Sequence, residues 1–313
     1  INGKRMGVGL NGYSDVSLIP AVAVESVEVL KDGASSIYGS DAIAGVINII
    51  TRTSFDGITA SAYYGQYGEG DGAVTKGDAI LGFSGDRGSL TFAAEWARED
   101  RIRAADRDYS RYPVSASHPT DGWSTNTDQA VFLSGSTRMI LRPGGDSRNP
   151  ADYIRQDLNV GACQPNSLAN PGPGICTPGS TAGKFNINQD ADLRIPREWK
   201  SAYLDGVYDI NPNLRVRANL LYSDRSSTRT TSGRPLTADR FGIPISAQSY
   251  YNPFGRDIPR WYRRFQEVIR QTTNDLTTYR ISAAVEGSFE IGSRAFDWDA
   301  SYLHNRNKLL LTG

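Results

Sequence analysis

The sequence predicts a small α/β unit followed by antiparallel strands of the kind that build a membrane β-barrel, and three observations lead to this fold class. The chain of 313 residues has no run of about 18 consecutive apolar residues, which excludes membrane-spanning helices. From Phe55 onward, apolar and polar residues alternate with a period of two, which is typical of strands. The connections between these segments are short and long in turn, as in membrane barrels.

Composition excludes several classes of protein. The 34 Lys and Arg residues balance 34 Asp and Glu residues, so there is no overall positive charge to hold nucleic acid. Only two cysteines are present, and the two histidines lie far apart without the spacing of metal ligands. The chain also lacks any grouping of Ser, His, Cys or acidic residues that is typical of a catalytic site. We therefore expect a protein that is not an enzyme and that carries no metal and no cofactor.

Residues 1–54 have the composition of a compact α/β unit. A run rich in Val and Ala at 21–31 is followed by a turn signal and then by small residues interrupted by glycines. Ser40 is placed to cap a short helix, and Gly45 to end it at a positive φ, which glycine adopts at low cost. The β-branched run at 46–51 predicts a buried strand.

Seven later segments alternate between apolar and polar residues, so each predicts a strand with one apolar and one polar face. Leu90, Leu220 and Val285 lie on apolar faces, whereas Arg217 and Glu286 lie on polar faces. The seven segments are 58–67, 75–83, 89–96, 202–210, 214–223, 279–291 and 296–304.

The loops and the aromatic residues help to decide whether the apolar faces of these strands meet lipid or a protein core. A soluble sandwich turns its apolar faces inward and a membrane barrel turns them towards lipid, so periodicity alone does not separate the two. The long connections, at about 101–198 and 226–264, fall on one side and the short turns on the other, which favours the membrane barrel. Trp96 and Tyr222 lie at the loop-side ends of strands and Trp298 near a short turn, which favours two aromatic belts. Ordinary enrichment of aromatics in strands is the alternative.

The segment at 19–52, IPAVAVESVEVLKDGASSIYGSDAIAGVINIITR, resembles the C-terminal half of the plug domain of TonB-dependent outer-membrane receptors. The shared pattern is an Ile-Pro start, a Val-Glu-Val-Leu-Lys strand, a Tyr-Gly pair among small residues, and a Gly-Val-Ile-Asn-Ile-Ile-Thr run. The Ile-Asn-Gly sequence that opens the chain is similar to an earlier plug strand. One departure is Asp32-Gly33, where many members have Gly-Pro, although both pairs form turns.

The resemblance implies a fold and a domain division. Residues 1–54 are then the C-terminal half of the plug, and residues 55–313 are the first strands and long extracellular loops of a β-barrel of about 22 strands. On this interpretation the chain is a fragment that begins within the plug, without the upstream energy-coupling segment. It would end after about seven antiparallel strands, as an incomplete barrel.

The resemblance also implies a function, a location and partners. We expect energy-dependent uptake of a scarce ligand, such as an iron-siderophore complex, cobalamin or an oligosaccharide, across the outer membrane of a Gram-negative cell. The partners would be the TonB energy-transducing complex, the small extracellular ligand, and outer-membrane lipid and lipopolysaccharide, but no nucleic acid. The alternatives are a passive porin or surface adhesin, against which the plug-like segment argues, and a secreted β-sandwich enzyme, which would need a catalytic cluster.

One group of candidate functional residues lies in the plug. In such receptors this region packs inside the barrel and moves to open a path, and glycines and small residues permit that movement. Turn chemistry without a gating role is the alternative. The gating candidates are Lys31, Asp32, Gly33, Tyr38 and Gly39.

A second group lies at 256–270, where arginines interleave with aromatic residues. Stacking and cation–π contacts from such a surface favour planar or anionic ligands. Bonds to lipopolysaccharide phosphates or to neighbouring acidic loop residues are the alternative. The ligand-binding candidates are Arg260, Trp261, Tyr262 and Arg263.

Cys163 and Cys176 lie in the longest loop, and the Pro and Gly residues between them argue against a helix or strand there. If this loop faces the oxidising exterior, we expect the two cysteines to form a disulfide that constrains the loop by roughly 3 kcal/mol. The disulfide would then either stiffen a ligand-facing loop or stabilise the loop without contacting ligand.

Overall fold

The computed structural model describes residues 1–7, 14–31, 33, 35, 39, 42–113, 123–142, 144–156, 166–167, 170–171 and 184–313. Within these residues the regular secondary structure consists of strands, short 3-10 turns and one short α-helix. No helix in the described ranges is long and apolar enough to cross a membrane.

Eighteen strands lie in the described part of the chain. In chain order they are β1 (Val24–Leu30), β2 (Val46–Thr51), β3 (Gly57–Gly65), β4 (Val74–Gly85), β5 (Gly88–Glu99), β6 (Ile102–Arg103), β7 (Val131–Ser134), β8 (Thr137–Leu141), β9 (Tyr153–Arg155), β10 (Asn166–Ser167), β11 (Asn170–Pro171), β12 (Asp192–Arg194), β13 (Arg197–Asn211), β14 (Leu214–Thr231), β15 (Pro235–Thr237), β16 (Trp261–Arg264), β17 (Arg270–Ile291) and β18 (Arg294–Thr312). The short helices are 3-10 turns at Val16–Leu18, Ala21–Ala23, Ala104–Asp106, Pro150–Asp152 and Ile187–Gln189, and a four-residue α-helix, α1, at Ala238–Phe241.

Residues 1–54, the plug-like part of the chain, which we call the plug, contain an antiparallel pair, β1 and β2, preceded by two 3-10 turns. The predicted strand at 46–51 is confirmed, whereas the run at 21–31 begins as a 3-10 turn before it becomes β1. Gly45 has a φ of 145°, and a Cβ at this position would lie 2.4 Å from the backbone oxygen of Leu30. Glycine is therefore required where the chain enters β2. Ser40 and Asp41, where a short helix is predicted to begin, lie outside the described residues, and residues 42–44, the rest of that predicted helix, are not helical, so the prediction is wrong for them.

The seven predicted later strands are all confirmed, and they form one sheet, which we call the wall. Its order is β18-β17-β14-β13-β5-β4-β3, so strands that neighbour in sequence also neighbour in space. Two-residue turns at 86–87, 212–213 and 292–293 join three of the hairpins, as the short connections predict. The wall is thus an antiparallel meander whose short turns alternate with long excursions of the chain.

The chain divides into two compact units. The first, the plug–wall unit, contains residues 1–100, 196–228 and 273–312. The second, the loop unit, contains residues 101–195 and 229–272, together with Gly313. The long connections between wall strands therefore fold into a structure of their own.

The loop unit contains strands that the sequence does not predict. A five-stranded sheet has the order β15-β16-β7-β8-β9, and β6 pairs with β12. Asn166–Ser167 also pairs with Asn170–Pro171, so the prediction of no strand between the two cysteines is wrong for these four residues. The strands of this unit have two to five residues, too few for a periodic pattern to emerge from the sequence.

Plug and wall share an apolar core. Leu18, Ile19, Ala23 and Ile49 from the plug pack with four wall residues, and each of these eight side chains is less than 9% exposed. The wall residues of this core are Ile80, Ala93, Tyr203 and Leu221. The other face of the wall is exposed and carries the apolar residues that the alternation assigns to it, including Leu90, Phe92, Leu220 and Tyr279. The predicted division of each strand into two different faces is therefore confirmed.

Candidate functional site

One polar contact between plug and wall is centred on Tyr203 in β13. Its hydroxyl lies 3.2 Å from the hydroxyl of Thr51 in the plug and also donates to Asp205 Oδ2 at 3.2 Å. Asn2 Nδ2 donates to Thr51 Oγ1 at 2.8 Å and reaches Tyr203 at 3.4 Å. Arg217 Nη2 donates to Asp205 at 3.1 Å, so this fully buried carboxylate has a cation beside it.

A second contact joins Glu95 in β5 to the plug backbone. Glu95 is 7% exposed, and its Oε2 accepts a hydrogen bond from the N–H of Ala21 at 3.0 Å. Trp199 Nε1 donates to the other carboxylate oxygen at 2.8 Å, and Lys76 Nζ lies 3.0 Å from Oε2. The carboxylate therefore has a donor from the plug, a neutral donor from the wall and a cation from the wall.

A third contact is an ion pair between Asp15 of the plug and Arg225 of β14, with Nη1 and Oδ2 2.6 Å apart. The Ser17 hydroxyl and backbone N–H donate to the other oxygen at 2.6 and 3.1 Å. Partial burial raises the pKa of Asp15, but the bonds from Ser17 and the charge of Arg225 outweigh it and hold the pKa below its ordinary value. Asp15 is therefore charged at neutral pH.

The first residues of the chain are tied to β17 and β18. Arg280 is fully buried, with Nη1 donating to Asn219 and Nη2 donating to the backbone oxygen of Arg5 at 3.2 Å. Lys4 forms an ion pair with Asp299. Asp299 lies in the predicted strand 296–304, but the sequence gives no means of finding its partner Lys4, which is almost the whole chain away.

The described gating candidates occupy turn positions beside the plug sheet. Lys31 follows β1 and is exposed, and Gly33 lies near the backbone of Ile43. Gly39 has a φ of 88°, and a Cβ there would lie 2.7 Å from the guanidinium of Arg5. Asp32 and Tyr38, the other two candidates, lie outside the described residues.

The ligand-binding candidates are consecutive residues that enter and form β16 in the loop unit. Trp261 Nε1 donates to the backbone oxygen of Ile243 at 2.8 Å. Arg263 Nε donates to the backbone oxygen of Asp128 at 2.9 Å, and its guanidinium pairs with Glu267. The backbone oxygen of Arg260 accepts from the N–H of Leu133 at 3.0 Å.

Tyr262 faces the side of β16 opposite to these contacts. The guanidinium of Arg138 lies over its ring, 5.1 Å from the centroid. The structure therefore brings the four candidates together, and most of their polar groups already have partners within the loop unit.

Beside Arg263 lies a cavity of about 640 Å³ that the sequence does not predict. An aromatic cluster forms part of its lining, with the rings of Phe132, Tyr153 and Phe254 4.9 to 5.3 Å apart. These residues come from β7, β9 and the segment before β16, so no local sequence pattern links them. The cavity offers ring faces for stacking and Arg263 for an anionic or polar group.

Arg264, the neighbour of the predicted cluster, is the arginine that organises this unit. It is 8% exposed, and its guanidinium donates to Gly233 O at 2.7 Å, Ser124 Oγ at 2.9 Å and Asn126 O at 3.3 Å. Its guanidinium also lies 5.0 Å from the ring centroid of Phe185. An arginine in a run of arginines gives no sequence signal that distinguishes this role.

The sequence also leads to expectations about a metal site and a disulfide. Among the described residues, no group of three or more His, Cys, Asp or Glu side chains could hold a metal ion. Cys163 and Cys176 lie outside the described residues, so their disulfide stays a prediction.

Comparison with known proteins relates the first part of the chain to a known family. Residues 1–46 match the sequence model of the TonB-dependent Receptor Plug Domain. The chain is 38% identical over 88 residues to the vitamin B12 transporter BtuB of Photobacterium profundum, covering 28% of this chain and 14% of that protein. It is 30% identical over 134 residues to BtuB of Vibrio cholerae serotype O1, covering 42% of this chain and 20% of that protein. The chain thus spans a fifth or less of these relatives.

Solved structures with a similar arrangement include two receptors from Acinetobacter baumannii. The siderophore receptor PiuA has a TM-score of 0.39 and 13% identity, and the match covers 92% of this chain and 36% of PiuA. The ferric preacinetobactin receptor BauA has a TM-score of 0.37 and 13% identity, and the match covers 91% of this chain and 36% of BauA. The plug match and the sequence similarity to these transporters agree: residues 1–46 match a TonB-dependent receptor plug domain, and the chain resembles the plug and first strands of a TonB-dependent receptor.

Proposed function

We propose that the chain acts in the energy-dependent uptake of a scarce ligand across the outer membrane of a Gram-negative cell. The observation that supports this most is the closed packing of the plug on the wall. An apolar core with Tyr203, Glu95 and Arg225 around it leaves the plug seated against the inner face of the sheet. A ligand passes such a plug only after the plug moves, and movement against these contacts requires work.

The TonB energy-transducing complex is the partner that would supply this work. In this proposal residues 1–54 are the C-terminal half of the plug and 55–313 are the first barrel strands with their extracellular loops. The exposed apolar face of the wall would then contact membrane lipid and lipopolysaccharide. A protein of this kind moves its ligand without changing it chemically, so the chain is proposed to be a transporter and no enzyme.

The ligand is proposed to be an iron-siderophore complex, cobalamin or an oligosaccharide. The two relatives that the chain matches in sequence are named as vitamin B12 transporters, which favours cobalamin among these three. We propose that Arg260, Trp261, Tyr262 and Arg263 contact this ligand, together with the aromatic cavity beside them. The gating role of residues 31–39 and the disulfide between Cys163 and Cys176 belong to the same proposal.

Tethering the plug to the wall tests this function directly. Asp15→Cys and Arg225→Cys, in a receptor with Cys163→Ser and Cys176→Ser, place two thiols at the observed ion pair. A short cleavable crosslinker between them should stop uptake of radiolabelled cobalamin or ferric siderophore and leave binding at the cell surface intact. Cleavage should restore uptake, and each single-cysteine variant treated in the same way is the control. Uptake through the tethered receptor, or uptake that persists without TonB, would favour the passive porin.

A further inference from the structure

The backbone of the plug is held by a side chain of the wall at one defined atom. The N–H of Ala21, the first residue of the 3-10 turn Ala21–Ala23, donates to Glu95 Oε2 at 3.0 Å. Pro20 precedes this turn and offers no side-chain cap, while the N–H of Ala23 bonds back to the oxygen of Pro20 at 2.9 Å. The acceptor for the first N–H of the turn therefore comes from another part of the fold.

Glu95 is held in place for this contact by the wall itself. Trp199 Nε1 fixes one carboxylate oxygen at 2.8 Å, and Lys76 Nζ lies 3.0 Å from the oxygen that accepts from Ala21. A buried carboxylate without hydrogen-bond donors is strongly unfavourable. Glu95 meets all three of its donors in the observed position, which is therefore its stable position. Because strands β4, β5 and β13 each contribute a member, the position is set by the sheet.

The turn that Glu95 holds is rigidly connected to the rest of the plug. The N–H of Arg52 donates to the oxygen of Ala23 at 2.9 Å, which joins the turn to the end of β2. Ala23 is 1% exposed and belongs to the core shared by plug and wall. Holding Ala21 therefore also fixes the end of the plug sheet against the wall.

We propose that Glu95 is a positioning residue that anchors the plug to the wall through the Ala21 N–H, and that Trp199 and Lys76 orient it. The proposal rests on the proposed function, since an anchor matters to a plug that must move and return. Because the contact uses a backbone atom, it does not depend on the side chain at position 21, which is exposed. Substitutions there should matter only when they remove the N–H.

Proline at position 21 provides a test at the level of this single atom. Proline has no N–H and is tolerated at the first position of a helical turn. Pro20 has a ψ of 125°, an extended conformation that suits a residue before proline. Ala21→Val is the matched control, because it adds similar bulk and keeps the N–H. The measurement is amide hydrogen exchange of the plug segment 22–30 in the complete ligand-free receptor.

We expect Ala21→Pro and Glu95→Ala each to speed this exchange by about tenfold, the effect of losing one charge-assisted hydrogen bond, and Ala21→Val to change it by less than about twofold. If both variants act through the same bond, the double variant exchanges no faster than either single variant. Trp199→Phe keeps a smaller aromatic ring and removes the donor that orients Glu95, so it should accelerate exchange by a smaller factor.

Two results would overturn the anchor. One is equal exchange in Ala21→Pro and Ala21→Val, and the other is an acceleration of about a hundredfold in the double variant, which indicates two independent effects. Should Glu95→Ala fail to assemble, Ala21→Pro against Ala21→Val still decides the question. Exchange needs neither ligand nor an energised membrane, so a failure of the uptake proposal would appear in transport assays and leave this measurement unaffected.

Discussion

Tyr203 of the wall and Thr51 of the plug share a hydrogen bond between their hydroxyls, 3.2 Å long, in a place where Tyr203 is 1% exposed and Thr51 is 0% exposed. Asn2 approaches this pair from the plug side, and Asp205 accepts from Tyr203 on the wall side. A polar chain therefore crosses the apolar core at its centre. Buried polar groups of this kind contribute to stability only while every member keeps its partner.

Removing the Tyr203 hydroxyl should weaken the seating of the plug. In Tyr203→Phe the ring still fills the core, but Thr51 and Asp205 each lose a hydrogen-bond partner. Leaving buried polar groups with fewer partners costs about 1–3 kcal/mol. Urea unfolding of the receptor in detergent measures this loss. Tyr208→Phe, on the same strand but 50% exposed on the other face, is the control and should unfold like the wild type.

The wall shows how far periodicity predicts structure. The alternation in β14 ends at Ser223, because Asp224, Arg225 and the residues after them are polar on both faces. The strand nevertheless continues to Thr231, and its backbone goes on pairing with β13 as far as Ser227, which lies opposite Arg197. Hydrogen bonding with a neighbour therefore extends the strand where side-chain pattern gives no signal.

The site is less predictable than the wall for a related reason. Glu95 falls on the polar face that alternation assigns, but its partners Ala21 and Trp199 are separated from it by 74 and 104 residues. Tyr203 is an aromatic residue on the face that also carries Asp205, so alternation alone does not identify it as a polar contact. Its role depends on Thr51, which only the folded chain brings near.

The two faces of β14 should differ in their tolerance of charge. Leu220 is exposed on the face opposite the plug, and this face is proposed to meet lipid. Leu220→Arg should reduce the free energy of folding into bilayers by about 2–4 kcal/mol if Leu220 lies near the middle of the membrane. Leu214→Arg, on the same face at the turn end of the strand, should cost about 0–1 kcal/mol. Equal costs at the two positions would contradict the proposed membrane depth.

Acid should loosen the contact between Asp15 and Arg225. Since the pKa of folded Asp15 lies below its ordinary value of about 3.9, the charged carboxylate stabilises the plug fully above that pH. The stabilisation is lost as the pH falls through the lowered value, when the carboxylate is protonated. Asp15→Asn should remove this part of the acid dependence of plug hydrogen exchange. An identical acid profile in the variant and the wild type would assign the dependence to other groups.

Arg264 should matter more to the loop unit than its neighbour Arg263. Arg264→Ala removes three donors, one to a buried acceptor and two to half-buried acceptors, and we expect a loss of about 3 kcal/mol, seen as faster proteolysis of residues 229–272. Arg264→Lys should restore little of this lost stability, because an ammonium group cannot reproduce the planar, forked donors of a guanidinium. Arg263→Ala removes an exposed pair with Glu267 and should cost less than about 1 kcal/mol.

Ligand binding tests whether β16 and its cavity form a recognition surface. Trp261→Ala together with Arg263→Ala removes a large ring and a forked cation, the residue types that dominate binding surfaces. We expect the pair to weaken binding of the transported ligand to the complete receptor by about tenfold or more, which is about 1.4 kcal/mol. Isothermal titration with cobalamin and with ferric siderophores measures this, and unchanged proteolysis of the loop unit shows that it still folds.

Arg98→Ala is the matched control for that pair. Arg98 is an exposed arginine whose charge is already compensated by Asp100 at 3.0 Å, so its loss should leave affinity unchanged. Unchanged affinity in the double variant as well would assign Trp261 and Arg263 to packing within the loop unit. Their bonds to Ile243, Asp128 and Glu267 would then account for them, because most of their polar groups already have a partner without any ligand.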